Sequence, residues 1–303
     1  MLSIMKDFFT RGKSVLPPGS LPSIKTNLKN YYSKTPSVFW FGHSSYLIHC
    51  NGINILVDPV FSGHASPFSW YLKAFKGSDV YKPADMPPID IMIITHNHYD
   101  HLDTGTIKAL APTTKQFIMP LGVSKSLGKT GALKKPYTEM DWWESCSPLS
   151  NIQLVCTPAR HFSGRGLKRN GSLWASFVLI IDEYSIFIGS DSGYDSHFTD
   201  IGKQYGTLDI AILECGQYNE AWRYIHSFPE ELVTEGKDLQ AKVIMPVHWG
   251  KFSLALHSWD EPVNRFVTAA KKAGIEYTTP MIGEAVVLDN CYPKSEWWKQ
   301  EGL

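Results

Sequence analysis

The feature that most constrains this chain is a run of histidines and aspartates directly after a short apolar segment. Ile91-Met92-Ile93-Ile94 is followed by Thr95-His96-Asn97-His98-Tyr99-Asp100-His101-Leu102-Asp103. Three imidazoles in one turn beside a buried segment are unusual unless they bind a common ion, because burying polar groups without partners is unfavourable in free energy. Imidazole with added carboxylate oxygen is typical of a hydrolytic metal site rather than a structural thiolate site. The candidate ligands in this run are His96, His98, Asp100 and His101.

Three further candidate ligands follow later apolar segments. His161 comes after residues 152–158, Asp191 comes after a second such segment, and His248 comes after a third. Ligands at the ends of buried strands can meet in one cleft, where the sheet holds them rigidly. We therefore expect these residues to join the 96–101 cluster in one site. Taken singly, a core histidine and a turn aspartate are the ordinary interpretations of His161 and Asp191.

The remaining pattern predicts strands interspersed with helices. The pair Asn51-Gly52 separates two alternating apolar segments and predicts a hairpin with a type I′ turn. Residues 1–36 are predicted to be an extended, proline-containing lead-in, and residues 37–303 a single domain without repeats. The long segment 61–88 is expected to be a functional loop or a lid.

Composition excludes several classes of protein. Lys plus Arg and Asp plus Glu both number 29, so the formal net charge is zero and no nucleic-acid partner is expected. Five cysteines at irregular spacing do not form a disulfide framework. The N-terminus is a poor signal peptide and no segment can span a membrane, so the expected location is cytoplasmic. A peripheral membrane contact through the N-terminal segment or the 61–88 loop is the alternative, and the oligomeric state stays open.

Together these motifs resemble the metallo-β-lactamase superfamily, and within it the branch that contains N-acyl-phosphatidylethanolamine phospholipase D and its bacterial relatives. The resemblance implies an α/β (α+β) fold, a four-layer αββα sandwich. Besides the histidine cluster, the resemblance rests on Trp40-Phe41-Gly42-His43-Ser44, Asp58-Pro59-Val60-Phe61-Ser62, Pro87-Pro88-Ile89-Asp90, Gly189-Ser190-Asp191-Ser192-Gly193-Tyr194 and Pro246-Val247-His248-Trp249-Gly250.

The resemblance also implies two divalent metal ions, with zinc as the default and manganese or iron as alternatives. The ions would share a hydroxide that acts as the nucleophile. One ion would be held by His96, His98 and His161; the other by Asp100, His101 and His248; and Asp191 would bridge them. Asp58 would not bind metal itself but would orient one of the ligands through a hydrogen bond. His43 would lie near the metal cleft, or it would have a structural role only.

Further residues are assigned roles around the substrate. His226 resembles a histidine that donates to a developing oxyanion in relatives, and it is predicted to be catalytic together with Asp100 and Asp191. Arg165 is predicted to pair with a phosphate through its planar fork, although a solvated surface arginine is the alternative. Trp70 and Tyr71 are predicted to line the substrate entrance, unless they fold back over the core.

The predicted function is hydrolysis of a phosphodiester in a lipid or small molecule, such as an N-acyl phosphatidylethanolamine-like phospholipid. A lactonase or another carboxylic ester or amide hydrolase is an alternative, because the same metal ligands serve both kinds of electrophile. A non-catalytic metal-binding protein on the same scaffold is the alternative from another class.

Overall fold

The computed structural model describes residues 12–166 and 168–300, and two β-sheets form its centre. The first sheet has the strand order β15-β1-β2-β3-β4-β5-β6. Its strands are β1 (Ser37–Trp40), β2 (Tyr46–Cys50), β3 (Ile53–Val57), β4 (Ile89–Ile93), β5 (Thr114–Pro120), β6 (Tyr137–Met140) and β15 (Ala285–Val287). The strands β3 to β6 run parallel to one another, whereas β1, β2 and β15 make antiparallel pairs.

The second sheet has the order β14-β13-β12-β11-β8-β7. Its strands are β7 (Ser145–Leu149), β8 (Ile152–Thr157), β11 (Ser176–Ile181), β12 (Tyr184–Ile188), β13 (Ile210–Glu214) and β14 (Ile244–Val247). A separate short hairpin consists of β9 (Gly164–Arg165) and β10 (Lys168–Arg169).

Five α-helices lie in the described part of the chain, and the expected four-layer αββα sandwich is confirmed. They are α1 (Thr104–Leu110), α2 (Ser124–Leu127), α3 (His197–Tyr205), α4 (Glu231–Asp238) and α5 (Glu261–Ala273). β4 and β13 are buried along their whole length, as expected for parallel strands covered on both faces. No helix among the described residues combines the length and hydrophobicity needed to cross a bilayer.

Local sequence signals account for several of these elements. The predicted hairpin between β2 and β3 is present, and both turn residues have the positive φ of a type I′ turn, 48° at Asn51 and 81° at Gly52. Asp103 begins α1 because its carboxylate accepts hydrogen bonds from the backbone of Gly105 and Thr106. The sequence pattern did not predict the strands β6 and β7 or the helix α3.

The lead-in differs from the body in having little regular structure. From residue 12 to residue 36 it contains two short 3-10 helices, Lys13–Val15 and Leu28–Asn30. Leu21 and Leu28 are buried in the main core, so this segment packs on the sandwich. The expectation for the N-terminal apolar segment falls on residues 1–11, outside the described residues.

Strand direction brings the candidate ligands to one edge of the sandwich. β3 and β4 are parallel neighbours in the first sheet, and β12, β13 and β14 are parallel neighbours in the second. The carboxyl ends of parallel strands lie at the same edge, where open α/β sheets place their ligands. The segments that contain Asp58, His96, Asp191 and His248 all follow such ends.

A cluster of four tryptophans, Trp40, Trp249, Trp297 and Trp298, supports the segment that carries His248. Trp249 packs between Trp40 and Trp297, with ring centres 5.3 and 5.2 Å away. Trp297 belongs to a 3-10 helix (Trp297–Lys299) near the C-terminus and has no exposed surface. The C-terminal segment is therefore part of the core behind the candidate site.

We predict that Trp297→Ala lowers the free energy of unfolding by about 3–5 kcal/mol, because it leaves a large cavity against Trp40 and Trp249. Urea denaturation followed by circular dichroism measures this change. Trp70→Ala is the matched control: Trp70 is 71% exposed, so its replacement should change stability by no more than about 0.5 kcal/mol. Equal losses in the two variants would contradict the assignment of Trp297 to the core.

Candidate metal centre

The centre is assembled from residues that directly follow strands. Asp58 follows β3, the histidine cluster follows β4, and His248 follows β14. The backbone at His43, Asp58 and His248 has positive φ, at 54°, 39° and 66°. Such conformations are uncommon for residues with a side chain, and they persist where the surrounding structure holds them, often at functional sites.

Three imidazole nitrogens converge in the first half of the centre. His98 Nδ1 lies 2.9 Å from His96 Nε2 and 3.2 Å from His161 Nε2. Asp191 Oδ2 lies 3.9 Å from the same atom of His96 and 3.7 Å from that of His161. Nitrogens about 2.0–2.1 Å from a tetrahedral zinc ion are separated by roughly 3.3 Å, so this spacing suits a metal ion.

The second half of the centre surrounds the other oxygen of Asp191. His101 Nε2 lies 3.1 Å from Asp191 Oδ1 and 3.5 Å from Asp100 Oδ2. His248 Nδ1 lies 2.6 Å from Asp191 Oδ1, and its Nε2 lies 4.0 Å from Asp100 Oδ2. His43 Nε2 lies 2.9 Å from the same oxygen of Asp100. The structure thus brings all seven predicted ligands together, with one oxygen of Asp191 facing each half.

The protonation states and unpaired atoms of these residues fit divalent metal ions. Burial lowers the pKa of His96 and His161 well below the ordinary value and lowers that of His98 to about 4. Neutral imidazoles are the form that binds metal. Within the described part of the chain, the buried Nε2 atoms of His101 and His248 make no hydrogen bond. Ring nitrogens left unpaired beside carboxylates are expected where a cation completes the site.

Asp58 fixes the orientation of His101. Its Oδ2 accepts a hydrogen bond from His101 Nδ1 at 2.8 Å, and its Oδ1 accepts one from the Thr95 backbone N–H at 2.8 Å. With Nδ1 used in this way, His101 turns Nε2 toward Asp100 and Asp191. Burial alone would lower the pKa of His101, but these two carboxylates raise it well above the ordinary value. A metal ion would take the place of that proton.

A cavity of about 490 Å³ opens onto the candidate ligands. Outside the ligands, its wall is mainly apolar and includes Phe162, Trp222, Ile225 and Leu254. The polar side chains in the remaining wall are those of Arg169, Gln217 and His226. This cavity can hold a substrate that combines a polar centre over the ligands with an apolar part.

A buried carboxylate that sequence reasoning missed lies beside His226. Glu214 is the last residue of β13, and its Oε2 accepts a hydrogen bond from His226 Nδ1 at 2.8 Å. The backbone N–H groups of Ser192 and Ser227 donate to Glu214 Oε1. Burial would lower the pKa of His226, but Glu214 raises it to about 9. The sequence did contain a signal for Glu214, because it is a single acidic residue at the end of an apolar segment. The other candidate ligands were identified by the same kind of position.

Three predicted substrate residues lie outside the wall of this cavity. Arg165 Nη1 donates to the backbone carbonyls of Asn97 and Leu102, at 3.1 and 2.9 Å. Its guanidinium also stacks on Tyr99 and lines a different cavity. Trp70 and Tyr71 are 71% and 47% exposed on the 61–88 loop.

Comparison with known sequences agrees with the superfamily that the motifs resemble. Residues 53–249 match the sequence model of the β-lactamase superfamily domain. A Mycobacterium tuberculosis protein of uncharacterised function is 36% identical over 98% of this chain and 80% of its own length. The N-acyl-phosphatidylethanolamine-hydrolyzing phospholipase D 1 of Caenorhabditis elegans is 31% identical over 71% of this chain, and the mitochondrial enzyme of the same description from Saccharomyces cerevisiae is 32% identical over 78%. The chain spans only 64% and 52% of the lengths of these two enzymes.

Solved structures agree on the fold. A metallo hydrolase from the archaeon Ignicoccus hospitalis superposes with a TM-score of 0.64 at 19% identity, covering 85% of this chain and 100% of that one. A possible metal-dependent hydrolase from Veillonella parvula superposes with a TM-score of 0.66 at 15% identity, covering 84% of this chain and all of its own. At these identities the likeness concerns the fold alone.

We predict that Asp58→Asn lowers the affinity for zinc by about 10- to 100-fold, because His101 loses the carboxylate that orients it. Competition against a chromophoric chelator measures this affinity. Asp200→Asn is the matched control, since the Asp200 side chain is 59% exposed and lies on the outer helix α3. An Asp58→Asn protein that binds zinc as tightly as the control would contradict this role.

Proposed function

The chain belongs to the metallo-β-lactamase superfamily, and from this premise we propose that it is a metal-dependent hydrolase of phosphodiesters with N-acyl phosphatidylethanolamine-like phospholipids as substrates. The observation that carries the proposal is the Glu214–His226 pair beside a full set of metal ligands in a largely apolar cavity. The descriptions of the C. elegans and S. cerevisiae relatives favour this substrate class over carboxylic esters.

The proposed cofactors are two divalent metal ions, with zinc as the first choice. His96, His98 and His161 would hold one ion, the remaining three ligands the other, and Asp191 would contribute an oxygen to each. When bound, the ions would supply Lewis acidity that activates water and offsets negative charge on a phosphoryl group.

His226 is proposed to supply the proton that the leaving group needs. Its Nδ1 proton is engaged by Glu214, so the proton on Nε2 is available to the cavity that His226 lines. In the reaction, a water oxygen forms a bond to phosphorus and releases one proton to solvent, and the bond from phosphorus to the headgroup oxygen breaks. That oxygen takes the proton from His226 Nε2, which solvent later replaces, and Glu214 stabilises the ring in the required orientation.

The apolar wall is proposed to hold the hydrocarbon part of the substrate. Phe162, Trp222, Ile225 and Leu254 offer aromatic and aliphatic surface next to the ligands. Burying acyl or glycerol carbon against them contributes binding energy away from the reacting phosphorus, which helps to position the scissile bond.

We predict that the zinc-loaded protein hydrolyses N-acyl phosphatidylethanolamine and that His226→Asn lowers kcat by about 10²- to 10⁴-fold while zinc content stays the same. Release of the N-acylethanolamine, measured by mass spectrometry, is the assay. His64→Asn is the control, because His64 lies outside the wall of the metal cavity and should leave kcat unchanged.

A lactone assayed on the same zinc-loaded sample separates this proposal from the carbonyl alternative. Protein that turns over the lactone and leaves phosphodiesters intact would contradict the proposal. Protein that binds zinc but hydrolyses no ester of either class would support a non-catalytic role instead.

We also propose that the protein works in the cytoplasm at a lipid surface, which it contacts through the 61–88 loop. Phe68, Trp70 and Tyr71 form an exposed aromatic cluster, in which the rings of Phe68 and Trp70 stack with centres 5.8 Å apart. Lys73 is exposed in the same turn and suits anionic lipid headgroups. Exposed aromatic side chains next to a basic residue are typical of interfacial contacts.

We predict that Trp70→Ala weakens binding to vesicles of phosphatidylglycerol and phosphatidylcholine by about 10- to 100-fold, because burying a large apolar side chain contributes roughly 1.5–3 kcal/mol. Vesicle sedimentation measures the bound fraction. Trp143→Ala is the matched control, since Trp143 is 42% exposed in the turn between β6 and β7. Equal binding by the two variants would exclude the loop as the lipid contact.

A further inference from the structure

One cation in the wall of the metal cavity has no role in the reaction proposed above. Arg169 is the second residue of β10 and pairs with Gly164 of β9. Its guanidinium carbon lies 5.5 Å from the ring centre of Phe162. The side chain is exposed and lines the same cavity as the candidate ligands and His226.

Phe162 ties this cation to the metal centre. The Phe162 ring packs against the rings of His98 and His161, with centres 4.6 and 4.9 Å apart. A side-chain carbon added to Gly164 would lie 3.6 Å from His98 Nε2 and 3.7 Å from Arg169 Cγ. Gly164 therefore lies close to both His98 and the stem of Arg169, and the Phe162 ring contacts both the guanidinium and two predicted ligands.

Arg169 differs from its neighbouring arginines because its guanidinium has no hydrogen-bond acceptor among the described residues. Arg160 lies 3.2 Å from Asp195 Oδ2, and Arg165 donates to two backbone carbonyls. Within residues 12–166 and 168–300, the side chain of Arg169 makes no hydrogen bond or ion pair, and its guanidinium lies over the Phe162 ring with the planar fork of N–H groups free. A guanidinium on an aromatic face, at the mouth of a cavity, is well suited to bind a carboxylate or a phosphate.

The position of Arg169 suits a group next to the scissile bond better than the scissile group itself. The phosphorus under attack would lie over the seven ligands, whereas the guanidinium rests on Phe162. A second anion on the substrate, a few bonds from the phosphodiester, would reach the guanidinium. The other cationic side chain of the non-ligand wall, His226, is already paired with Glu214, and the remaining residues of that wall are neutral.

We propose that Arg169 determines specificity by binding a carboxylate on the substrate headgroup, so that the preferred substrates are N-acyl phospholipids with an acidic headgroup. The inference rests on the proposed phosphodiesterase function. It adds that N-acyl phosphatidylserine, which differs from N-acyl phosphatidylethanolamine by one carboxylate, is the better substrate. The shared phosphodiester and acyl amide make these two lipids a matched pair.

The test compares kcat/KM for short-chain N-acyl phosphatidylserine and N-acyl phosphatidylethanolamine on the zinc-loaded protein. We expect the acidic lipid to be preferred by about 3- to 10-fold, the range of a partly solvated, forked ion pair. Arg169→Gln should reduce this ratio to near one, and Arg169→Lys should restore part of it. Lys168→Gln removes the same charge from the adjacent residue, which does not line the cavity, and should keep the full preference.

Binding of the two headgroup products, N-hexanoylserine and N-hexanoylethanolamine, measured by isothermal titration calorimetry, makes the test independent of turnover. If the parent protein binds the acidic product more tightly and Arg169→Gln loses this difference, the inference is supported even when neither lipid is cleaved. The absence of cleavage would then count against the phosphodiesterase proposal alone. Equal use and equal binding of the acidic and neutral compounds by the parent protein would overturn the inference. An Arg169→Gln protein impaired equally on both lipids would also overturn it, because Arg169 would then act on the shared phosphate.

Discussion

Seven side chains point ring nitrogens and carboxylate oxygens at one another in a small buried space, and the rest of the structure depends on keeping them there. Lone pairs facing each other at such distances are unfavourable unless a proton or a cation lies among them. The sandwich meets this constraint with rigid supports. Asp58 holds His101, the carbonyl of Ile225 accepts from His161 Nδ1 at 2.9 Å, and the backbones of His43 and His248 bond to each other at 3.0 Å.

The strand-end residues of the candidate site were predictable from the sequence, but only some of them from local signals. The cluster 96–101 after β4 needs no tertiary information, and Asn51-Gly52 identifies its hairpin by the positive φ that both residues accept. His161, Asp191 and His248 are ordinary residues when taken singly. Their order after successive apolar segments, together with the family resemblance, is what assigned them to one site, and strand direction explains why their side chains converge.

Other features depend on long-range contacts that the sequence does not display. Glu214 ends an apolar strand, and nothing in the local sequence indicates that it pairs with His226, twelve positions away. Arg165 was predicted to pair with a phosphate, but its guanidinium donates to the backbone carbonyls of Asn97 and Leu102 instead. The residue left free by that arrangement is Arg169, four positions further along the same hairpin. The register of the β9–β10 hairpin determines which of its two arginines faces the cavity, and this register cannot be read from the number or type of residues.

The same edge of the sandwich therefore combines a polar centre, a proton donor held by Glu214, an apolar wall and a free cation. The proposed function and the proposed specificity together use all four features, and the function depends on the proposed pair of metal ions at the centre. The most direct measurement is the anomalous signal of crystals of the zinc-loaded protein, collected on both sides of the zinc absorption edge. The account predicts two peaks about 3.5–4 Å apart, one beside His96, His98 and His161 and one beside Asp100, His101 and His248, with Asp191 in contact with both. A single peak, or peaks away from these residues, would contradict it.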